Sequence, residues 1–519
     1  MTASISDGAR GMTAQSGGHT RQLAGAAGSD ELATKPIIIG CVKSFLHALA
    51  VLLLALPAAL GQGLPDLGDV SQSEMSPQME RRLGESIMRE IRADPSYSDD
   101  PEITDYLNNL GYRLVAASSD SRQQFDFFLI IDPQVNAFAL PGGFIGINSG
   151  LMLTAQSESE LAGVVSHEVA HVTQRHMARM LAQQKQASVL SMAALALAVL
   201  AARANPELGS GAIASVSAGA VQSQLNYTRD HEKEADRVGF QVLDKAGFDA
   251  HAMATFFERM QRATRFYETN APAYLRTHPL TYERIADMQG RAQNLSYRQV
   301  PDTLDFQLMR AKLKAAQDTP QEAVAFFEES LGERRYLSEA AGRYGLVSAL
   351  LRTKDFARAG RELANLRKML PQQPAVEVLA GRYYVAAGDA NAALQNYRDA
   401  LRSHPGYRAL VYDYADLLIS SGQPAEALKL IDSRLQYSVA DYHMYQLQAK
   451  AYSALGKRLA QHRATAEAYY RIGNLRGAID QLVLAQKSGD GDFYQQSSVD
   501  ARLRQLRKED DEARRDSRK

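Results

Sequence analysis

The sequence predicts a mainly α protein with a small β-sheet, in which an α+β domain is followed by an α-solenoid. Three observations carry that reading. Apolar residues recur at helical spacing through most of the chain after Ser76. The stretch from Phe125 to Met152 switches to strand-like alternation around a glycine turn. Further on, from Ala323, small residues return at a near-constant interval. A chain of 519 residues has room for two or three domains. The expected division is an export-signal region at 1–61, the α+β domain at 62–300, the repeats at 301–490 and a charged tail or capping helix at 491–519. With 58 basic and 59 acidic residues, the balance argues against a bulk nucleic-acid binder.

From Lys43 the chain reads KSFLHALAVLLLALPAALGQ. One positive charge, an apolar stretch and small residues before Gln62 have the layout of a secretory signal peptide. As a membrane anchor it falls short of the ~20 apolar residues that span a bilayer. Residues 1–34 are polar and rich in Gly, Ala and Ser, which is unusual ahead of such a signal. A start at Val42 would remove residues 1–41, and a peptide from residues 13–34 in the precursor would exclude that start. The only cysteine, Cys41, precedes the apolar stretch, where a lipoprotein signal would need it after. The mature chain then has neither disulfides nor a thiolate metal site, and its expected location is the periplasm.

Ser76-Pro77 opens a first helix, with a capping residue and then a proline where the missing N–H does no harm. Residues 101–115 form a second helix. Phe125 to Ile131 alternate as a strand, and NAFALPGGFIGINSGLM at 136–152 reads as a hairpin turning at Pro141-Gly142-Gly143. Helical pattern returns over 156–185, 227–265 and 281–293, and a linker near 294–304 ends the domain. Residues 187–202 are a charge-free run of 16. A buried helix, a lid over a cleft and a peripheral membrane contact all remain open for it.

In the second half, Gly388, Ala393, Tyr397 and Ala400 set a pattern that Gly422 and Ala427 repeat 34 residues on. Ala359 and Ala323 hold the same alanine position upstream, and Gly473, Ala478, Leu482 and Ala485 fit one and a half periods downstream. This period resembles the tetratricopeptide repeat, a helical hairpin whose small residues let two helices approach. Four to five such units would make a curved solenoid with a concave face.

Residues 166–171 read SHEVAH. On a helix, positions four apart lie about 40° from each other on one face, so His167 and His171 can direct two imidazoles at one ion. Glu168 lies about 100° round, beside the ion, where it can take a proton from an attacking water. Zinc then needs a third protein ligand and an open fourth position. His176 is five residues past His171 rather than six, and position 174 is Gln174, so it does not fit as that ligand. In RDHEKEADRVGF at 229–240, Glu232 and Asp236 share a helix face while Glu234 points roughly away. Glu232 can be the ligand, and Asp236 can accept the free N–H of a ligating histidine.

HExxH followed about sixty residues later by ExxAD, with NAFALPGG upstream and THPLTYER downstream, resembles the zinc metalloprotease superfamily of the CAAX prenyl proteases and HtpX. An export signal and C-terminal repeats narrow the resemblance to its BepA-like periplasmic branch. The resemblance implies a zincin-like α+β metalloprotease domain with one Zn²⁺ on His167, His171 and Glu232 and Glu168 as the catalytic glutamate. It also implies an edge strand presenting Asn136 and Ala137 to the backbone of an extended substrate. His278 would occupy the open metal position and restrain the enzyme, or, on a purely structural reading, cap the helix starting near Pro279. Arg284 would stabilise the developing oxyanion or pair with the neighbours of Glu283. The implied work is proteolysis of unfolded or misassembled proteins during outer-membrane β-barrel assembly. The repeats would contact the assembly machinery. The rival is an assembly factor acting through its repeats with little proteolysis.

Overall fold

The computed structural model describes residues 75–119, 123–183, 229–264 and 273–516, apart from positions 297, 337 and 439. The export signal, the Val42 start and the run at 187–202 lie outside the described residues. Among the described residues no helix is long and apolar enough to cross a membrane.

Ser76 caps α1 (Pro77–Ala93) by accepting from the Met79 N–H, as its place before a proline predicts. Asp100 does the same for α2 (Pro101–Ala117). The sheet is four-stranded in the order β1-β2-β4-β3: β1 (Tyr97–Ser98), β2 (Asp126–Ile130), β3 (Ala137–Leu140) and β4 (Phe144–Asn148). β2 and β4 run parallel, and β3 and β4 form the expected hairpin. Gly142 and Gly143 make its turn at φ 77° and 85°, a region that favours glycine. β2 departs from simple alternation, because all of Phe127, Phe128, Leu129 and Ile130 are buried. It is an inner strand with helices on both faces. Phe127 and Leu129 pack with Leu107 and Leu110 of α2. Phe128 and Ile130 pack with Ile87, Met88 and Ile91 of α1.

After α3 (Ser149–Thr154) comes α4 (Glu158–Thr173), capped by Ser157, whose hydroxyl accepts from the Glu160 N–H. It carries HExxH and is buried nearly end to end, consistent with its unbroken apolar flanks. α5 (His176–Gln183), α6 (Arg229–Lys245), α7 (His251–Thr264), α8 (Ala273–Thr277) and α9 (Tyr282–Gln293) complete this part. α6 crosses α4 at Gly239, where a Cβ would lie 3.0 Å from the backbone of His167. That glycine lets the two helices approach.

From Leu304 the chain is helical hairpins: α10 (Leu304–Gln317), α11 (Pro320–Gly332), α12 (Glu339–Arg352), α13 (Phe356–Met369), α14 (Pro374–Ala386) and α15 (Ala390–Ser403). They continue as α16 (Arg408–Ser420), α17 (Pro424–Leu435), α18 (Tyr442–Ala454), α19 (Arg458–Arg471), α20 (Leu475–Gln486) and α21 (Phe493–Asp516). Ala323, Ala359, Ala393, Ala427 and Ala478 are all fully buried. The Tyr397 ring fills the space a side chain at Gly381 would need. The half-period offset downstream has a simple cause: α19 pairs with α18 on one side and α20 on the other, so it serves two hairpins. The end of the chain is a helix. α21 runs 24 residues and buries Val499, Leu503 and Leu506 against Leu459 and Leu482.

Architecture changes at Leu304, but the core does not break there. One buried cluster runs from Ile103 through Phe306 to Ala380. The solenoid is therefore packed onto the α+β part, chiefly on α2.

Candidate metal centre

Three elements bring the site together. α4 supplies His167, Glu168 and His171, α6 supplies Glu232 and Asp236, and the turn after α8 supplies His278. All six side chains are buried. One ligand atom each from His167, His171, Glu232 and His278 lies within 4.8 Å of the others. His167 Nε2 and His171 Nε2 are 3.0 Å apart, and they sit 3.6 and 3.5 Å from the Glu232 carboxylate. Ligands about 2.0–2.1 Å from a tetrahedral divalent ion would be about 3.3 Å apart. Two imidazoles and a carboxylate at these separations fit such a metal.

The surrounding charges are arranged around the same point. Asp236 Oδ1 lies 3.0 Å from His167 Nδ1, on the side away from the cluster. Burial opposes a charge on His167, but Asp236 and Glu232 outweigh it and hold its pKa up to about 9. Burial and the neighbouring His167 push His171 well below the ordinary histidine range. Glu232 is buried too, yet His278, His167 and His171 hold its carboxyl well below the usual range. Glu168 goes the other way. Burial raises its pKa against the pull of His278 and His167, with Glu232 reinforcing the rise. Neither of its buried carboxylate oxygens finds a hydrogen-bond partner among the described residues. The backbone of Ala139 on β3 approaches without completing one.

His278 lies with Nδ1 3.0 Å from Glu232 Oε1 and Nε2 3.6 Å from Glu168 Oε1. It does not cap α9, whose N-cap is Thr281. The sequence did not point to Tyr274, whose buried ring packs 4.8 Å from that of His278. Arg284 also sits differently from an oxyanion donor. Its Nε and Nη2 bond both oxygens of Asp236 at 2.6 and 2.8 Å, and Nη1 reaches Pro279 O at 2.8 Å and Glu232 at 2.9 Å. These contacts fix Arg284 on two acids and a carbonyl of the site itself. Nor does it pair with the neighbours of Glu283; Glu283 itself meets Lys233 on the surface.

β3 forms an edge of the sheet. The Asn136 carbonyl accepts from the Asn148 N–H, so Asn136 faces β4. Alternation then turns the backbone groups of Ala137 and Ala139 toward the open edge. Of the two residues expected there, Ala137 is so placed. Ala139, beside Glu168, is the one that strand register adds. His176, which fails the ligand spacing, stands behind His171, with Nδ1 to Nδ1 at 2.8 Å.

Residues 101–292 match Peptidase family M48, and residues 384–451 match the tetratricopeptide repeat. A Vibrio cholerae protein is 36% identical over 445 residues, covering 85% of this chain and 92% of its own. The beta-barrel assembly-enhancing protease of Escherichia coli is 32% identical, covering 86% of this chain and 91% of its own. That of Yersinia pestis is 31% identical, covering 86% and 92%. The similarity therefore spans the HExxH helix, the ExxAD helix and the repeats together. The chain belongs to peptidase family M48 and is a metalloendopeptidase.

Proposed function

We propose that this is an exported zinc endopeptidase that cleaves unfolded or misassembled proteins during outer-membrane β-barrel assembly. The observation that carries the proteolytic reading is the convergence of His167, His171 and Glu232 beside a buried Glu168 whose carboxylate has no hydrogen bond among the described residues. Zinc bound there would polarise a scissile carbonyl and make water a stronger acid. Glu168 takes the proton of the attacking water and passes it to the leaving nitrogen. A glutamate whose pKa burial has raised suits both halves of that task. The edge of β3 would hold an extended chain by strand addition, a mode that recognises backbone and so favours unfolded substrates. The beta-barrel assembly role rests on the relatives, and the periplasmic location rests on the signal-like residues 43–62. The solenoid would supply the contact with the assembly machinery.

The second reading is an assembly factor whose site is mostly closed. It is favoured by one observation, that His278 lies among the metal-directed groups. The two readings separate in one experiment. Casein is offered to the mature chain carrying His278→Ala, with and without Glu168→Gln. Cleavage that disappears with Glu168→Gln supports the protease. Absence of cleavage from both, with zinc bound, moves the weight to the assembly factor.

A further inference from the structure

The proteolytic reading leaves the buried His176 unused. α4 ends at Thr173, and Arg175 takes the left-handed conformation at φ 52°. Its guanidinium fixes that bend by bonding Glu80 at 2.5 Å and Met75 O at 2.6 Å. The reversal brings His176, the first residue of α5, back beneath His171. The His176 side chain is fully buried, with its ring stacked 4.6 Å from that of His231. Its Nδ1 is 2.8 Å from His171 Nδ1, and its Nε2 is 3.1 Å from Glu234 Oε2. Arg179 Nη1 bonds the same Glu234 oxygen at 2.7 Å, and Arg237 stands 3.9 Å from the other.

These distances constrain the protons. His171 turns Nε2 toward His167 and Glu232, so its remaining ring proton sits on Nδ1 and must be donated. Two Nδ1 atoms at this separation can share only one proton, which makes His176 Nδ1 the acceptor. A neutral His176 then carries its proton on Nε2, where Glu234 accepts it. No other tautomer satisfies both contacts while leaving His171 Nε2 a lone pair. We propose that Glu234 and His176 are a positioning pair that orients His171 through a chain of two hydrogen bonds. The inference rests on the metal-centre reading above.

The same design then appears twice on α6. Asp236, backed by Arg284, orients His167 directly. Glu234, backed by Arg179, orients His171 through an intervening imidazole. One helix thus supplies a ligand and the two carboxylates that hold the other ligands. Glu234 points away from Glu232 because it serves the far side of the site.

The test is zinc affinity of the full chain, measured by competition with a chromogenic chelator. Removing an orienting partner of this kind lowers metal affinity roughly 10–100-fold. His176→Leu should show that loss. His176→Asn, whose amide oxygen can still accept from His171, should recover much of it. Glu234→Leu should fall with His176→Leu, and the double variant should be no worse than either alone. Zinc binding by His176→Leu equal to that of the parent overturns the proposal. If the parent itself binds no zinc, it is the metal-centre reading that fails. A second readout does not depend on a variant folding: nitrogen-15 spectra of the zinc-loaded parent report each histidine tautomer. A proton on His176 Nε2 is expected, and one on His176 Nδ1 would overturn the proposal.

Discussion

His278 and Glu232 are hydrogen-bonded across the site, Nδ1 to Oε1 at 3.0 Å, although they are 46 residues apart. The imidazole therefore stands on the same carboxylate that would share the metal, with its other nitrogen toward Glu168. A fourth protein ligand closes a zinc site, whereas catalytic sites keep one position open. Replacing His278 with alanine should act in opposite directions on two measurements. Zinc affinity should fall, because a ligand is lost, while casein cleavage should rise several-fold. Cleavage unchanged beside weaker zinc binding would mean that the imidazole holds metal without restraining the enzyme.

Arg284 separates two roles by what else changes when it is removed. The structure puts it, buried, on both oxygens of Asp236 and on Glu232. Burial opposes the charge on Asp236, and the Arg284 and His167 contacts outweigh it, holding its carboxyl below the usual range. Breaking a buried ion pair from one side costs about 3–5 kcal/mol, since a charge is left without its partner. Arg284→Ala should therefore lower the unfolding temperature and the zinc affinity together. Arg284→Lys should recover only part, because an ammonium cannot make the two-pronged contact. A variant with normal stability and normal zinc binding but a lower kcat would instead restore the oxyanion role.

Local rules made much of this molecule legible before its fold was known. The cap Ser76, the Pro141 turn and the HExxH face each depend on residues within a few positions of one another. Glu232 was also legible, because i, i+4 geometry with Asp236 is a local property of α6. What escaped were contacts made between elements. Gly239 gives no sign of lying against His167, for that closeness is a crossing of two helices. His176 and Glu234 are meaningless until the bend at Arg175 brings them behind His171. The sequence marks Arg284, but what its donors meet depends on Asp236, which lies on another helix. The continuity of the core past Leu304 was hidden for the same reason, since a change of repeat pattern looks like a domain boundary.

Glu168 should carry a cost in stability that its chemistry explains. Its carboxylate is fully buried without a hydrogen-bond partner among the described residues, and burial raises its pKa. An acid whose folded pKa lies above its unfolded value destabilises the fold as pH rises past the unfolded value, because ionising in place is harder than ionising in water. Glu168→Gln should thus stabilise the metal-free chain at neutral pH. The gap should narrow as pH falls toward about 4.5, where the unfolded carboxyl is also protonated. Thermal unfolding of both proteins in chelator, at pH 5 and pH 8, measures it. A difference that does not grow with pH would assign the effect to packing rather than to charge.

The first turn of α2 is where the solenoid grips the protease. Glu102 has a fully buried side chain 2.5 Å from Lys312 of α10, 2.9 Å from the Tyr407 hydroxyl and 3.7 Å from Arg382 of α14. Asp100 meets Lys312 at 2.5 Å, and Asp105 meets Arg408 of α16 at 3.0 Å. Three acids of one helix start, where the helix dipole already favours negative charge, thus face cations from three solenoid helices. Burial sets their worth. The Asp105–Arg408 pair is more than a third exposed on both sides, so Arg408→Ala should cost no more than about 1 kcal/mol. Glu102→Ala leaves Lys312 with Asp100 alone and the half-buried Tyr407 hydroxyl without its acceptor, and should cost about 1–3 kcal/mol. Because the core is continuous there, the loss should lower the midpoint of a single denaturant transition spanning both parts. Two separate transitions in the parent chain would show instead that the protease and solenoid parts unfold independently, and that Glu102 does not couple them.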